Sequence, residues 1–323
     1  MKILYLFLIY KNPQIVAHTI NRLQHPDAIF YIHVDKNSNC DFSLLNNSAN
    51  VYWASERFPT EWGSANVPLA IESCLRDIIK NIRTDYVILM SESDYPIKPA
   101  HYIHKILASA HQDFVSSSKL PNNNPLHTKG SFWLEGGRRR LECYPVRLNN
   151  RSIATIEPRS FNWGNFRQFG KICIQHPAAL PHAFCIWWRA PKRKHPDYLS
   201  PYGGELWFIL RTKTIQEILN FIDKHPDYKA YCLNTPQLDE LFIPTLVHAV
   251  VPEEEIANEN MRYINWGERG DSPVELTISE KDTILEQIGK SNKLFARKIQ
   301  DMEVCQLIDE HLHHLEHHLP DSL

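Results

Sequence analysis

The chain has 323 residues, 43% of them apolar and 22% charged, and its 35 Lys and Arg against 37 Asp and Glu leave a formal net charge of -2. Those proportions exclude a disordered, collagen-like or coiled-coil chain, and they lack the basic excess that nucleic-acid binding requires, so any anion site must come from local clusters. The length admits one large α/β domain or two tightly joined halves.

The opening MKILYLFLIY is apolar but too short to span a bilayer, and Lys11 to Pro13 follow it without a small-residue cleavage site; it reads as a buried first strand, Ile3 to Ile9. Periodicity then predicts a helix from about Pro13 to Leu23, a strand Ile29 to Val34, a short strand Val51 to Ala54 and a helix from about Asn66 to Asn81. A run Tyr86 to Met90, a helix from about Ala100 to Ala110 and a strand Asp113 to Ser116 complete the first part. Apolar strands alternating with helices predict a mostly parallel sheet buried on both faces, with ligands bound beyond the carboxyl ends of its strands. The strand exits are polar: His33-Val34-Asp35-Lys36, Ser55-Glu56-Arg57 and Glu92-Ser93-Asp94-Tyr95.

From Leu120 to Pro201 the pattern is irregular, with the basic run Arg138-Arg139-Arg140 and abundant Trp and Phe, which reads as a loop-rich insertion. Regularity returns with a strand Glu205 to Leu210 and a helix from about Thr214 to Ile222. Thr235 followed by Pro236 is a helix-start signal that sets Asp239 and Glu240 in the opening turns. Seven scattered cysteines form no C-x-x-C pair, which points away from zinc or a redox dithiol and toward a reducing compartment. Nothing approaches a transmembrane length, so a cytoplasmic protein whose membrane contact is at most peripheral is expected. The histidines of Asp309 to His318 spread around several helix faces without completing a closed metal site, and a solvated terminal helix is expected there.

In chain order, Tyr31-Ile32-His33-Val34-Asp35-Lys36, Trp62-Gly63-Ser64, Leu89 to Lys98, Gly203-Gly204-Glu205-Leu206-Trp207, Leu238-Asp239-Glu240-Leu241-Phe242, Arg262 to Trp266 and Leu294 to Lys298 resemble the motifs of the Core-2/I-branching glycosyltransferases. That group includes branching N-acetylglucosaminyltransferases and peptide O-xylosyltransferases. The resemblance implies a GT-A type α/β fold, a mostly parallel central sheet with helices on both faces. One catalytic domain over 1–323 is expected, with a nucleotide-sugar-binding half at 1–120 and an acceptor-binding and catalytic half at 121–323. It further implies a UDP-sugar donor, inversion at the anomeric carbon and no dependence on a divalent metal.

Carried over residue by residue, the resemblance implies Glu240 as the catalytic base, with Asp239 capping backbone amides or orienting it. It implies Arg297 and Lys298 on the diphosphate and Asp35 and Arg57 toward the nucleoside, and has Asp94 contacting the donor sugar or shaping its turn. Such chemistry needs a base for the acceptor hydroxyl and positive charge for the leaving phosphate. Glu205, Trp207 and Trp266 are acceptor-side candidates, the tryptophans because sugar C–H faces stack on aromatic rings. Arg138 to Arg140 form a second candidate phosphate group. The family usually has a small or neutral residue at Glu92, so Glu92-Ser93-Asp94 keeps the acidic spacing that holds Mn²⁺ or Mg²⁺ elsewhere, and a metal stays an alternative. The expected partners are a UDP-sugar, with N-acetylglucosamine as the expected sugar and xylose or glucuronic acid as alternatives, and a glycan or lipid-linked saccharide acceptor in bacterial surface polysaccharide synthesis. A non-catalytic sugar-nucleotide or glycan-binding protein and a glycoside hydrolase remain as other readings.

Overall fold

A computed structural model describes residues 1–47, 50–60, 64–122, 134–148, 151–267 and 272–318. Trp62 and Gly63 of the second motif lie outside the described residues, as do the side chains of His317 and His318.

In chain order the first part runs β1 (Ile3–Ile9), α1 (Pro13–Arg22), β2 (Ala28–Val34), β3 (Val51–Trp53), α2 (Asn66–Asn81), β4 (Tyr86–Ser91), β5 (Asp94–Pro96), α3 (Ala100–Ala110) and β6 (Asp113–Lys119). There follow α4 (Arg138–Glu142), the strands β7 (Tyr144–Leu148) and β8 (Arg151–Ile156), and the helices α5 (Trp163–Gln175) and α6 (Leu180–Arg189). The last part is β9 (Tyr202–Arg211), α7 (Thr212–Lys224), α8 (Pro226–Cys232), α9 (Phe242–Val250), β10 (Ile256–Ala257), β11 (Arg262–Ile264), α10 (Lys281–Lys290), β12 (Phe295–Arg297) and α11 (Met302–His318).

The main sheet has seven strands in the order β10-β6-β9-β4-β1-β2-β3. It is mostly parallel, with β9 antiparallel to both neighbours. Strand β1 carries apolar side chains to both faces, as a strand buried on both sides must. Its Leu4 and Leu6 join Ile71 and Leu75 of α2 and Ile215 and Ile218 of α7 on one face. On the other, Ile3, Tyr5 and Phe7 meet Val16 and Ile20 of α1 and Ile103 and Leu107 of α3. This is the α/β arrangement the GT-A resemblance implies. A small sheet, β11-β12-β5, stands beside the end of β4.

Two expectations are corrected here. The stretch after Leu120 is not loop-rich in its described part: β7 and β8 pair as a hairpin, and Val146, Ala154 and Ile156 form a separate small core with Ile172, Ala179 and Ala183 of the two helices and the turn between them. Helical periodicity was obscured because α5 and α6 turn aromatic side chains outward, and Asn162, which caps α5 by accepting from Asn165 N at 2.7 Å, is flanked by Phe161 and Trp163. The terminal helix α11 is not simply solvated either. Val304, Cys305, Ile308 and Leu312 form a buried stripe against Ile284 and Ile288 of α10 and Tyr95 and Ile97, and Asp309 accepts from Tyr95 Oη at 2.8 Å. Among the described residues, no helix is long and apolar enough to cross a membrane.

Candidate active site

Strand β4 delivers Ser91, Glu92 and Asp94 to its carboxyl end, where the small sheet covers them. Asp94 is 1% exposed and is surrounded by donors: Ser91 N and Oγ at 2.7 Å, Arg262 Nε at 3.1 Å and Arg297 Nη1 at 3.2 Å. Two guanidiniums therefore neutralise one buried carboxylate, an arrangement that a buried charge requires. Arg297 also donates to Ser91 Oγ at 2.6 Å and lies 4.1 Å over the Trp207 ring, while Arg262 stands 5.2 Å from it. Each Asp94 oxygen thus accepts from one guanidinium, Oδ1 from Arg262 and Oδ2 from Arg297.

Around this anchor lies a rim of cations. Lys298 follows Arg297 at the end of β12, and Lys11 follows β1. Burial, then repulsion from Lys11 and Arg297, pushes the Lys298 ammonium below its ordinary value, and among the described residues no acid lies within ion-pair distance of it. Burial raises Glu92 to about 7, against the pull of Arg297 and Lys11. Positive charge held together at a desolvation cost is an anion site in waiting.

The carboxylates Asp239 and Glu240 come from a different element than expected. Helix α9 begins only at Phe242, no side chain caps it, and Leu238 to Glu240 form a 3₁₀ turn entered through Gln237 in the left-handed conformation (φ 49°). Thr235 is not a cap: its hydroxyl accepts from Arg193 Nη2 at 2.6 Å and donates to Tyr231 O at 3.2 Å. The left-handed step at Gln237 diverts the chain away from the Thr-Pro start, so both acids ride on the turn. Glu240, 19% exposed, lies 2.5 Å from Arg140 Nη2. Arg140 Nε donates to Gln237 Oε1 at 3.0 Å. Burial lifts Glu240 to about 8 despite Arg140, and Asp239 and Glu205 lift it further. Asp239 is likewise raised by burial.

Glu205, on β9, is raised to about 7 by burial against the pull of Arg262 and Arg297, and it accepts from Asn260 Nδ2. Strand β9 reaches this position because Gly204 lies against β6: a Cβ there would sit 1.9 Å from Ser116 O, at the point where the β6–β9 register shifts. The site thus gathers Glu240, Glu205, Trp207 and Asp94 around Arg140, Arg262, Arg297, Lys298 and Lys11.

The profile of the family described as Core-2/I-Branching enzyme matches residues 3–130 and 178–288. The chain belongs to the Core-2/I-Branching enzyme family. Its curated relatives include Xylosyltransferase oxt of Drosophila melanogaster, 33% identical over 88 residues, which cover 26% of this chain and 10% of that one. Xylosyltransferase 1 of Rattus norvegicus is 23% identical over 259 residues (76% and 26%), and Xylosyltransferase 2 of Pan troglodytes 24% identical over 320 residues (91% and 31%). The chain thus spans about a tenth to a third of the length of the curated relatives it matches.

In this Core-2/I-Branching member Asp35 and Arg57, expected toward the nucleoside, are both held by backbone. The Asp35 carboxylate accepts from Asn37 N at 2.6 Å and Thr60 N at 2.5 Å, and Arg57 donates to Val34 O at 3.1 Å and Asp35 O at 2.5 Å. They fasten two strand exits together. Trp266 lies two residues past β11 and is half-buried. The arginine run does not act as one group: Arg138 pairs with Glu135 and Glu142, both at 2.5 Å, Arg139 donates to Thr155 O at 2.8 Å, and Arg140 alone reaches Glu240. Sequence reasoning assigned no role to Lys11, Arg262 or Asn260. Arg262 stood inside a quoted motif, and Lys11 comes two residues after the first strand, so both had a signal; Arg140 as partner of Glu240, 100 residues away, had none.

Proposed function

We propose that this chain is an inverting glycosyltransferase that moves a sugar from a UDP-sugar to an acceptor hydroxyl. The observation that carries the reading is Glu240, a partly buried carboxyl whose proton affinity lies near neutrality and which shares its turn with Asp239, opposite a rim of cations. In this reading Glu240 takes the acceptor proton as the oxygen attacks the anomeric carbon, and Arg140 holds the carboxylate in place and favours its charged form against burial. The C–O bond to UDP breaks, and the charge growing on the departing phosphate is met by Lys298 and Lys11, with Arg297 fixed by Asp94 behind them. Side chains carry this charge without a divalent ion, because Asp94 is occupied by two guanidiniums. Glu205, close enough to raise Glu240, and Trp207 supply polar and flat apolar surface for the acceptor sugar, with Trp266, past β11, as a further stacking face; Asp35 and Arg57 shape the nucleoside end. UDP-N-acetylglucosamine heads the donor panel, and UDP-xylose joins it because curated relatives are named xylosyltransferases; the acceptor is a glycan or lipid-linked saccharide of surface polysaccharide synthesis.

The test is UDP release measured over UDP-sugars and acceptors, with NMR of the product anomer. Acceptor-dependent release that persists in EDTA, inverts the anomer and is lost in Glu240→Gln is expected. Saturable UDP binding without transfer would support the non-catalytic reading, and restoration by Mn²⁺ after EDTA would overturn the metal-free one.

A further inference from the structure

Outside the site, the surface of α5 and α6 stands apart from the rest of the molecule. Among the described residues, six of the thirteen exposed large apolar side chains lie between residues 161 and 188: Phe161 (93% exposed), Trp163, Phe166, Ile174, Phe184 and Trp188. On α5, Trp163, Phe166, Gly170 and Ile174 recur at helical spacing and form one outward stripe, opposite the buried Ile172. Trp187 connects the two helices across the surface, with Phe161 edge-on at 4.9 Å and Phe184 at 5.6 Å. The rings enclose a groove of about 270 Å³ that is almost wholly apolar.

The charge of this segment is as one-sided as its apolarity. Residues 158–196 contain seven Lys and Arg and no Asp or Glu, in a chain of net charge -2. Of these, Arg159, Arg167, Lys171, Arg189, Lys192 and Lys194 are exposed, and among the described residues Lys194 alone is in an ion pair, with Asp197 at 2.6 Å. Next to the aromatic stripe is a cleft of about 580 Å³ lined by Trp163, Arg139, Arg167 and Lys171 against one acid, Glu135. Arg139 is 5% exposed, its Nε and Nη1 have no hydrogen-bond partner, and Glu135 stays 3.8 Å away. An under-satisfied buried guanidinium beside two exposed cations suits a phosphate oxygen.

We infer that the α5–α6 face docks on an anionic lipid surface, its aromatic side chains seated at the level of the headgroups and the Arg139–Arg167–Lys171 cleft taking a lipid phosphate. Tryptophan and phenylalanine flanked by Lys and Arg are the composition that interfacial binding needs, since apolar burial and attraction to anionic headgroups then add. A second copy of this chain is the wrong occupant, because a two-fold contact would bring two uncompensated cationic faces together. The docking face is also joined to the site: Arg139 packs over Gly164 of α5, where a Cβ would stand 2.3 Å from Nη1, and the next residue, Arg140, holds Glu240.

The experiment is sedimentation of the full chain with vesicles of phosphatidylcholine alone or containing phosphatidylglycerol. Wild type is expected to bind the anionic vesicles at least ~10-fold more tightly and to lose that binding as salt is raised. Trp163→Ser/Phe166→Ser and Arg167→Glu/Lys171→Glu should each weaken it by ~10-fold or more while the UDP-induced thermal shift is kept, which separates a lost surface from a lost fold. Failure of wild type to bind, binding unchanged in both double variants, or a lipid-free dimer by light scattering that Trp163→Ser/Phe166→Ser dissolves would each overturn the inference.

Discussion

In the proposed reaction, Glu240 and Arg140 form the pair on which the chemistry turns. A base must be unprotonated to act, so kcat/KM should rise with pH along a limb near 8, the value to which burial lifts Glu240. Arg140 pulls that value down. Arg140→Met should therefore move the limb to higher pH as well as lower the plateau, whereas an unmoved limb would assign it to another group. Glu240→Gln should reduce kcat/KM roughly 100- to 10,000-fold with the melting temperature maintained or raised, since it removes a carboxylate that burial disfavours. Glu240 as the candidate base was legible in the motif. Its partner was not, because nothing in a linear run of three arginines tells which of them faces a turn a hundred residues on.

At the scale of elements, the close passage of β9 over β6 sets where Glu205 and Trp207 stand. Gly204→Ala puts a methyl group against the Ser116 carbonyl, and a loss of about 1–3 kcal/mol in denaturant unfolding is expected, together with weaker acceptor binding. Gly289→Ala in α10 is the contrasting case: nothing lies within 4 Å of its added carbon, so it should be neutral or stabilise by up to roughly 1 kcal/mol. Elements whose apolar residues all face inward, such as β1, α2 and α3, were readable from periodicity almost to the residue. Those that turn aromatics to the outside were not: α5 hides its period behind Trp163 and Phe166, and α11 hides Val304, Ile308 and Leu312 among histidines. The turn at Asp239 was misread for another reason, since a Thr-Pro start signal says nothing of a left-handed residue immediately after it.

For the molecule as a whole, burying carboxyl groups under the small sheet sets a pH dependence of stability. Glu92, 4% exposed, has its folded-state value raised from 4.5 to about 7. The stability linked to it is therefore complete below pH 4.5 and is lost as pH rises through 7. Relative to wild type, Glu92→Gln should become progressively more stable over that interval, by up to about 3 kcal/mol; parallel melting curves from pH 4.5 to 8 would refute this. The placement of β9 between β4 and β6 has a consequence for synthesis. Two strands made early, ending at Ser91 and Lys119, must wait for a partner that begins only at Tyr202. Until the ribosome has delivered it, both present bare hydrogen-bonding edges to their surroundings. A nascent chain halted before Tyr202 should therefore be a chaperone client, and the completed chain, with β9 in place and α7 and α9 over the sheet, should escape that dependence.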